Sequence, residues 1–393
     1  MVAEAPAKQR LSERVRAVPP SGIRKFFDVI ATMPDVISLG VGEPDFDTPA
    51  QIVEEGVRSL RAGRTHYTSN YGTIELRRAL SAHLERLYGI TYDPASEMCI
   101  TVGASEAVAA TMAALVDPGD EVVIHEPSYV AYLPSIMFNG GVPAYVSTTA
   151  ATNFALTPDA VAAAITPRTK VLFLGYPCNP TGAVLDEATL RAIADIAVKN
   201  DLLVVSDEIY DRLVYGGHRH VPIASLPGMR ERTVLMGGFS KAYAMTGWRV
   251  GYVCAPQDLL EGIVKVHQYE IMSAPTTAQD AAVIALNTGE PDVARMRDEY
   301  DRRRRMFVDG LNAIGLPTVE PLGAFYAFPS IKPTGLSSEQ FSERLLFEHK
   351  VAVIPGSAFG PSGEGHVRAT LATSYEDLEE ALRRIKAFVS TLG

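Results

Sequence analysis

Short apolar runs alternate with helix-like segments between about residues 98 and 210. The runs are MCITV (98–102), EVVIHE (121–126), KVLFLGYP (170–177) and LLVVSDEIY (202–210), and the clearest helical patterns are 105–115 and 186–200. This alternation predicts an α/β fold with a doubly wound, mainly parallel sheet. VLFLG and LLVVS are apolar at consecutive positions, which is typical of central strands that helices cover on both faces.

The pattern changes after about residue 290. A long charged helix is predicted over 292–312, followed by β-rich segments around GAFYAFPSI (323–331) and VAVIPGSAF (351–359) and a last helix over 375–391. We interpret this as a smaller α+β domain. The predicted division is an N-terminal arm with part of the small domain (1–48), a large domain (49–290) and a small C-terminal domain (291–393). The arm contains Pro19, Pro20 and Pro34.

Polar residues follow two of the predicted central strands. Asn179 comes after one of these strands, and Asp207 and Tyr210 come at the end of another. Because ligands bind at the carboxyl ends of strands in such folds, these side chains are expected to share one edge of the sheet.

Composition narrows the class of protein. The formal net charge of −10 argues against nucleic acid as the main partner. The basic run 302–305 is interpreted as a solvated helix face. Cys99, Cys178 and Cys254 fit neither a disulfide framework nor a zinc site and are expected to be buried.

The charged N-terminus and the short apolar stretch 107–116 predict neither a secretory signal nor a membrane span, so a cytoplasmic protein is expected. No P-loop, GxGxxG, GxSxG or HExxH motif occurs. His218 and His220 could pair on a metal, but we expect them to be solvated and expect no metal site.

The segment GFSKAYAMTGWRVG (238–251) resembles the cofactor-lysine signature of class I and II, fold-type I aminotransferases, which use pyridoxal phosphate. In that resemblance Lys241 matches the lysine that binds the cofactor as a Schiff base, and Arg249 matches an arginine that binds its phosphate. Ser240 is expected to contact the cofactor as well. Gly238 departs from the pattern, which often has Ser there, so Ser105 or Ser240 is expected to compensate.

The resemblance implies roles for residues throughout the chain, from about Gly22 to Gly393. Asp207 matches the aspartate that contacts the pyridine nitrogen, and Tyr210 and Asn179 match the donors to the cofactor's 3-oxygen. Each of the motifs SDEIY and NPTG taken alone could be only a strand end or a turn.

Other cofactor contacts are also implied by the resemblance. Gly103, Ala104 and Ser105 lie between a strand and a helix, where backbone N–H groups can bind phosphate. An ordinary helix cap is the structural alternative. Tyr129 matches an aromatic that stacks on the pyridine ring, and Tyr67 matches a tyrosine that reaches the cofactor phosphate of the neighbouring subunit. The resemblance therefore implies a homodimer with shared active sites.

Two positions are expected to bind substrate, together with Asn179. Arg368 in HVRAT matches the arginine that holds the α-carboxylate, and Gly42 matches a backbone position in the same pocket. The alternative for Arg368 is a surface ion pair with Glu364 or Asp377.

The substrate is the least defined part of the prediction. The stretch 271–277, where a partner-subunit arginine would be expected in enzymes dedicated to aspartate, contains no cation. The segments SGIRKF (21–26), VHQY (266–269), GAFYAFPSI and PGSAFGPSGEGHVR (355–368) resemble the branch with aromatic-type and N-acetyl-diaminopimelate aminotransferases. A broad transaminase acting on neutral, aromatic or acylated diamino L-amino acids and a 2-oxo acid such as 2-oxoglutarate is therefore expected. Alternatives are an aspartate aminotransferase, a carbon–sulfur β-lyase or ring-closing synthase on the same fold, and the effector domain of a regulator.

Overall fold

The computed structural model describes residues 10–19, 33 and 35–392. The SGIRKF segment, Pro20, Pro34 and the last residue of the predicted small domain lie outside the described residues. Within them the α-helices are α1 Glu13–Ala17, α2 Ala50–Arg61, α3 Ile74–Tyr88, α4 Gly103–Leu115, α5 Tyr132–Phe138, α6 Pro158–Ala164, α7 Glu187–Lys199, α8 Gln257–Glu270, α9 Thr276–Thr288, α10 Glu290–Ile314, α11 Ser338–His349 and α12 Tyr375–Val389.

The strands form one large sheet and two small ones. They are β1 Ile37–Ser38, β2 Met98–Thr101, β3 Glu121–Glu126, β4 Val142–Ser147, β5 Thr169–Gly175, β6 Leu203–Asp207, β7 Thr233–Gly238, β8 Gly251–Cys254, β9 Tyr326–Ala327, β10 Val351–Ala352, β11 Ile354–Pro355 and β12 Val367–Thr370. The seven-stranded sheet has the order β2-β8-β7-β6-β5-β3-β4. β8 is antiparallel to both of its neighbours and the other pairs are parallel, which confirms the prediction of a mainly parallel sheet.

Successive apolar residues of the central strands face opposite sides of the sheet. Leu172 packs in a cluster with Leu190 of α7, whereas Phe173 packs in a different cluster with Val108 of α4. Because side chains alternate along a strand, a strand between two helical layers is apolar at every position. The consecutive apolar residues of VLFLG and LLVVS are therefore explained by burial on both faces of the sheet.

The smaller sheets belong to the C-terminal part. β9, β12 and β11 form an antiparallel sheet, and β1 pairs in parallel with β10, with Ile37 opposite Val351. The aromatic rings of Tyr300, Phe341 and Phe388 contribute to a buried core of this part. The exact domain boundaries at 48/49 and 290/291 stay predictions.

The expectation of a solvated basic face on α10 is wrong for two of its arginines. Arg302 and Arg305 are exposed, but Arg303 and Arg304 have only 6% and 2% relative exposure. Both nitrogen–oxygen distances from Nη1 of Arg303 to the Asp45 carboxylate are 2.9 Å. Nη1 of Arg304 lies 2.6 Å from Oε1 of Glu320. These carboxylates are distant in sequence, and the buried charges are therefore paired.

The structure also describes the surroundings of the histidines that were considered as a metal pair. The expectation that His220 is solvated is wrong, since its Nε2 lies 2.8 Å from Oε2 of the buried Glu208. Among the described residues, no group of three or more His, Cys, Asp or Glu side chains could hold a metal ion.

No helix in the described part is long and apolar enough to cross a bilayer. The three cysteines are buried and unpaired, as predicted.

Candidate active site

A cavity of about 630 Å³ opens at the carboxyl edge of the large sheet, between that sheet and the C-terminal part. Because parallel strands β5, β6 and β7 end at the same edge, the residues that follow them converge there. The predicted site residues that line the cavity are Gly42, Ala104, Ser105, Tyr129, Asn179, Asp207, Tyr210, Ser240, Lys241, Arg249 and Arg368. Gly103 and Tyr67 are not among the lining residues.

Asp207, the last residue of β6, is a buried carboxylate that faces the cavity. Its Oδ2 accepts a hydrogen bond from the hydroxyl of Tyr132 at 2.8 Å, and its Oδ1 accepts one from the backbone N–H of Ile209 at 3.1 Å. No cationic side chain in the described residues forms an ion pair with it. Burial raises the pKa of Asp207 to about 6. A cation placed beside this carboxylate would stabilise its ionised form and offset the unfavourable burial of its charge.

Lys241 lies in the loop after β7. Its Nζ donates a hydrogen bond of 2.5 Å to the carbonyl oxygen of Gly42. Burial lowers the pKa of Lys241 to about 8, and the charges of Arg368 and Arg249 act in the same direction. A lysine with this pKa is partly neutral near physiological pH and can act as a nucleophile or base.

Tyr210 and Asn179 approach the cavity from two neighbouring strands. The hydroxyl oxygens of Tyr210 and Tyr326 are 2.8 Å apart and hydrogen-bonded. Oδ1 of Asn179 accepts a hydrogen bond from Nη1 of Arg368 at 3.0 Å, which leaves the amide nitrogen as the donor of that side chain. Burial raises the pKa of Tyr210 well above its ordinary value, so its hydroxyl stays protonated.

The amino end of α4 lies at another wall of the cavity. No side chain caps this end, so its first backbone N–H groups remain available to an anion. β8 passes directly beneath it: a Cβ on Gly251 would lie 2.8 Å from the nitrogen of Ala104 and 2.7 Å from the carbonyl carbon of Gly103. Only glycine at 251 allows this close approach.

Arg249 stands next to the same helix end. A Cβ on Gly103 would lie 2.6 Å from Nη2 of Arg249, which places the guanidinium against the start of α4. The backbone of Arg249 has a φ of 54°, a left-handed conformation that costs energy for a side-chain-bearing residue. Its Nη1 donates to the carbonyl oxygen of Thr246 at 3.0 Å. Strain of this kind is concentrated at functional sites.

Arg368 on β12 is a fully buried guanidinium, with a relative exposure of 2%. Besides its bond to Asn179, its Nη2 donates to the carbonyl oxygen of Gly40 at 2.6 Å, and its Nε has no hydrogen-bond partner. No carboxylate of the described residues pairs with it, so the predicted alternative of a surface ion pair does not apply. A buried arginine that faces a cavity without a carboxylate partner among the described residues is suited to bind an anionic ligand there.

The two predicted aromatic contacts differ in position. Tyr129 lines the cavity and its ring meets Tyr132 edge to face, with centroids 5.5 Å apart. Tyr67 is 81% exposed on the surface of the single chain. No contact in this structure tests its predicted role toward a neighbouring subunit.

Sequence reasoning gave no role to several lining residues, notably Tyr132, Tyr326, Glu43 and Thr246. Tyr132 stands in the motif EPSYVAY and Tyr326 in GAFYAF, but nothing in the spacing indicates that one would reach Asp207 and the other Tyr210. Glu43 accepts from the hydroxyl of Thr246 at 3.1 Å. Each of these contacts joins residues that are brought together only by the tertiary fold, so no local sequence pattern predicts it.

Comparison with known proteins finds relatives that are named aminotransferases. Residues 34–385 match the family model described as aminotransferase class I and II. An aspartate aminotransferase of Pyrococcus abyssi is 48% identical over 96% of this chain and 97% of its own length. Aromatic-amino-acid aminotransferase 2 of Thermococcus litoralis is 46% identical over 96% and 97%. The crystal structure of an aromatic aminotransferase from Pyrococcus horikoshii superposes with a TM-score of 0.89 at 46% identity, covering 94% of this chain and 99% of that one.

Proposed function

The chain belongs to the class I and II aminotransferases, and we propose that it transfers the amino group of a neutral, aromatic or acylated diamino L-amino acid to a 2-oxo acid such as 2-oxoglutarate. The family, the fold-type I architecture and the dependence on pyridoxal phosphate predicted from the sequence are confirmed. The residue roles and the substrate class below are our proposal. The observation that carries it is the buried, unpaired Arg368 in the same cavity as Lys241.

The donor set in the cavity fits pyridoxal phosphate. Asp207 supplies a buried carboxylate that has no cationic partner among the described residues, as the protonated pyridine nitrogen would require. The hydroxyl of Tyr210 and the amide nitrogen of Asn179 are the donors assigned to the ring's 3-oxygen. Tyr129 would stack on the ring face.

The phosphate would bind at the uncapped amino end of α4. There the backbone N–H groups of Gly103, Ala104 and Ser105, the hydroxyls of Ser105 and Ser240, and the guanidinium of Arg249 surround one region. The helix dipole and a cationic fork both favour a dianion at this place. Space at Gly238 is limited, since a Cβ there would lie 3.0 Å from Cδ1 of Ile209. We propose that Ser105 or Ser240 supplies the hydroxyl that position 238 lacks.

Bound there, pyridoxal phosphate supplies an aldehyde for the donor's amine and a protonated ring that withdraws electrons from the bond to be broken. Lys241 is the residue that would hold the cofactor, through its Nζ. With its lowered pKa, the Nζ of Lys241 would also accept the proton from the donor's Cα. The carboxylate of Asp207 would hold the proton on the ring nitrogen.

Arg368 orients the donor for this proton transfer. Its planar guanidinium would bind the α-carboxylate, which every α-amino acid shares, while Asn179 and Gly40 fix its plane. Gly42 lies close to this arginine, since a Cβ on Gly42 would be 3.9 Å from its Nη1. The α-carboxylate and the amine of Lys241 are thereby brought to the same end of the cavity.

The proposal of a neutral or aromatic donor rests on the charges of the lining residues. In the described part of the chain these include three cationic side chains, Lys241, Arg249 and Arg368, and each already has a role. None is left to recognise a second carboxylate. The relatives named for aspartate and for aromatic amino acids match the chain at nearly equal identity, so aspartate aminotransferase remains the alternative.

A β-lyase on the same fold is the second alternative. Loading the purified protein with pyridoxal phosphate and following both amino-group transfer to 2-oxoglutarate and ammonia release separates the two activities. The proposal expects a new amino acid and little ammonia. Ammonia and pyruvate from a sulfur-containing donor, without transfer, would overturn it.

We also propose a homodimer in which Tyr67 of each subunit reaches the partner's cofactor phosphate. Its exposure in the single chain leaves it available for such a contact. Neither nucleic acid nor membrane is proposed as a partner, and the proposed location is the cytoplasm. The proposed division into the arm with part of the small domain, the large domain and the small domain is unchanged from the sequence.

A further inference from the structure

Tyr326 is a cavity residue whose role is not covered by the assignments above. It is the first residue of β9 and pairs with Thr370 of the antiparallel β12. Arg368 and Thr370 are two positions apart and therefore share a face of the sheet, which makes Arg368 the diagonal neighbour of Tyr326. The side chain of Tyr326 is completely buried.

The hydroxyl of Tyr326 is engaged with the phenol of Tyr210. Their oxygens are 2.8 Å apart, and a Cβ on Gly42 would lie 2.7 Å from the Tyr326 hydroxyl. Glycine at 42 therefore leaves the space that this hydroxyl occupies. Burial raises the pKa of both phenols, so each carries one proton that it can donate. When Tyr210 donates its proton to the cofactor's 3-oxygen, Tyr326 must be the donor in the bond between them.

The ring of Tyr326 contacts the substrate arginine. The guanidinium carbon of Arg368 lies 4.6 Å from the centroid of this ring, within the range of a cation–π contact. The ring of Phe359 is 4.9 Å from the same carbon. One side chain thus contacts a group assigned to the cofactor and a group assigned to the substrate.

We propose that Tyr326 is a positioning residue that holds the Tyr210 hydroxyl toward the cofactor's 3-oxygen and the Arg368 guanidinium toward the substrate carboxylate. This inference rests on the proposed roles of Tyr210 and Arg368. It predicts that the hydroxyl and the ring of Tyr326 have separable effects. The hydroxyl should influence the cofactor, and the ring should influence substrate binding.

The hydroxyl is tested with Tyr326→Phe and a spectroscopic pH titration of the bound cofactor. A stronger hydrogen bond from Tyr210 stabilises the ionised 3-oxygen. Losing the Tyr326 donor weakens that bond, so the pH midpoint of the cofactor's visible absorbance change should rise by about 0.5 to 1 unit. Other titratable groups face the cavity and are the same in both proteins, namely Glu43, Tyr129, Tyr132, Asp207, Lys241, Arg249 and Arg368.

Tyr300→Phe is the matched control. Tyr300 is also completely buried, its ring centroid is 5.4 Å from that of Phe325, and its hydroxyl has no hydrogen-bond partner in the described residues. This variant should leave the midpoint unchanged. The positioning role is refuted if the two variants behave alike, or if Tyr326→Phe causes the same shift when Tyr210 is already Phe.

The ring is tested by comparing Tyr326→Leu with Tyr326→Phe. The leucine variant should raise KM about three- to tenfold for donors of every side-chain type, because the cation–π contact is lost, whereas the phenylalanine variant should retain KM. Equal KM values in both variants would refute the second half of the inference.

A further measurement keeps the test decisive if Tyr326→Phe does not fold. Replacing Tyr326 by 3-fluorotyrosine preserves ring and hydroxyl but makes the hydroxyl a stronger donor, so the midpoint should fall. An unchanged midpoint would overturn the inference. Failure of the proposed function is distinguishable, because the unmutated protein would then not catalyse transfer and Tyr210→Phe would not alter the cofactor's spectrum.

Discussion

The Nζ of Lys241 lies 2.5 Å from the carbonyl oxygen of Gly42 and donates a hydrogen bond to it. These residues are far apart in sequence, and Gly42 also borders Arg368 and the Tyr326 hydroxyl. The contact places the proposed base beside the proposed carboxylate site, and no carboxylate of the described residues forms an ion pair with the amine. Since the carbonyl oxygen carries no full charge, burial can lower the pKa of this lysine.

Lys241→Ala should bind pyridoxal phosphate non-covalently and lose turnover by at least about a thousandfold, since both anchor and base are removed. Borohydride reduction of the loaded, unmutated protein should place the label on Lys241. Covalent loading of the cofactor-free protein should accelerate about tenfold per pH unit below 8 and level off above it, because only the neutral amine reacts. Lys170→Ala is the control, since Lys170 forms a 2.9 Å surface ion pair with Asp120. Near-normal transamination by Lys241→Ala would identify another residue as the base.

Asp207→Asn should retain the fold and much of the cofactor binding but lose kcat by about a hundredfold or more, because an amide cannot hold the ring nitrogen's proton. The raised pKa of about 6 adds a pH signature. Asp207 becomes protonated below that pH, so cofactor affinity should weaken there in the unmutated protein but not in Asp207→Asn.

Asp211→Asn offers a matched control for this prediction. Asp211 is a half-buried carboxylate, and it accepts a 2.6 Å hydrogen bond from Tyr88 outside the cavity. The control should keep its kcat once folded. An equal loss in both variants would mean that the effect is structural.

The strands that the sequence predicted are those with a distinctive local pattern of apolar residues. The runs that became β5 and β6 were predicted because helices cover both faces of the sheet there, so that consecutive positions are apolar. β7 and β8 were not predicted. They contain Gly237, Gly238 and Gly251, which are weak strand formers. The same glycines allow close packing, which at Gly251 lets the amino end of α4 approach β8.

The contacts that the sequence did not predict depend on distant partners. The burial of Arg303 follows from Asp45, and the position of Tyr326 beside Tyr210 follows from the pairing of β9 with β12. A helical charge pattern or a single tyrosine contains no information about such partners. Of the site residues matched to a motif, all but Gly103 and Tyr67 line one cavity. Those that follow β5, β6 and β7 meet there because parallel strands end at the same edge of the sheet.

A shared active site can be tested by mixing inactive subunits. Lys241→Ala and Tyr67→Ala should each lower activity, for different reasons. If Tyr67 serves the partner's site, each mixed dimer contains one site with both native residues. Random reassortment should then add about a quarter of the native activity to the residual activity of the homodimers, since about half the dimers are mixed and one of their two sites is intact. Activity equal to the mean of the two parent variants would place Tyr67 outside the partner's site.

Arg368→Lys should lower kcat/KM for all α-amino donors alike, by about 2 kcal/mol or a factor of about 30. Lysine retains the charge but cannot donate to Asn179 and Gly40 while also gripping a carboxylate with a planar fork. Arg303→Lys is the control, because Arg303 is similarly buried but pairs with Asp45 outside the cavity. A loss that depends strongly on the donor's side chain would assign Arg368 to the side chain rather than the α-carboxylate.

The donor preference tests the proposed substrate class. With no further cation among the described lining residues, a side-chain carboxylate gains no ion pair in the cavity, and the lining residue Glu43 adds a like charge. Phenylalanine, alanine and an acylated diamino acid should therefore compete well with aspartate and glutamate. The measurement is kcat/KM for these five donors with 2-oxoglutarate as the acceptor.

The ratio of kcat/KM values between donors distinguishes a cavity that recognises only the α-carboxylate from one that also recognises a side-chain carboxylate. Preferences within about tenfold agree with a cavity that recognises only the shared α-carboxylate. A preference for aspartate above about a hundredfold, roughly 2.7 kcal/mol of transition-state discrimination, requires a dedicated cation. Because the lining cations Lys241, Arg249 and Arg368 are already assigned, that cation would have to come from the partner subunit or from outside the described residues. The enzyme would then be an aspartate aminotransferase, and the proposal of a neutral or aromatic donor would be wrong.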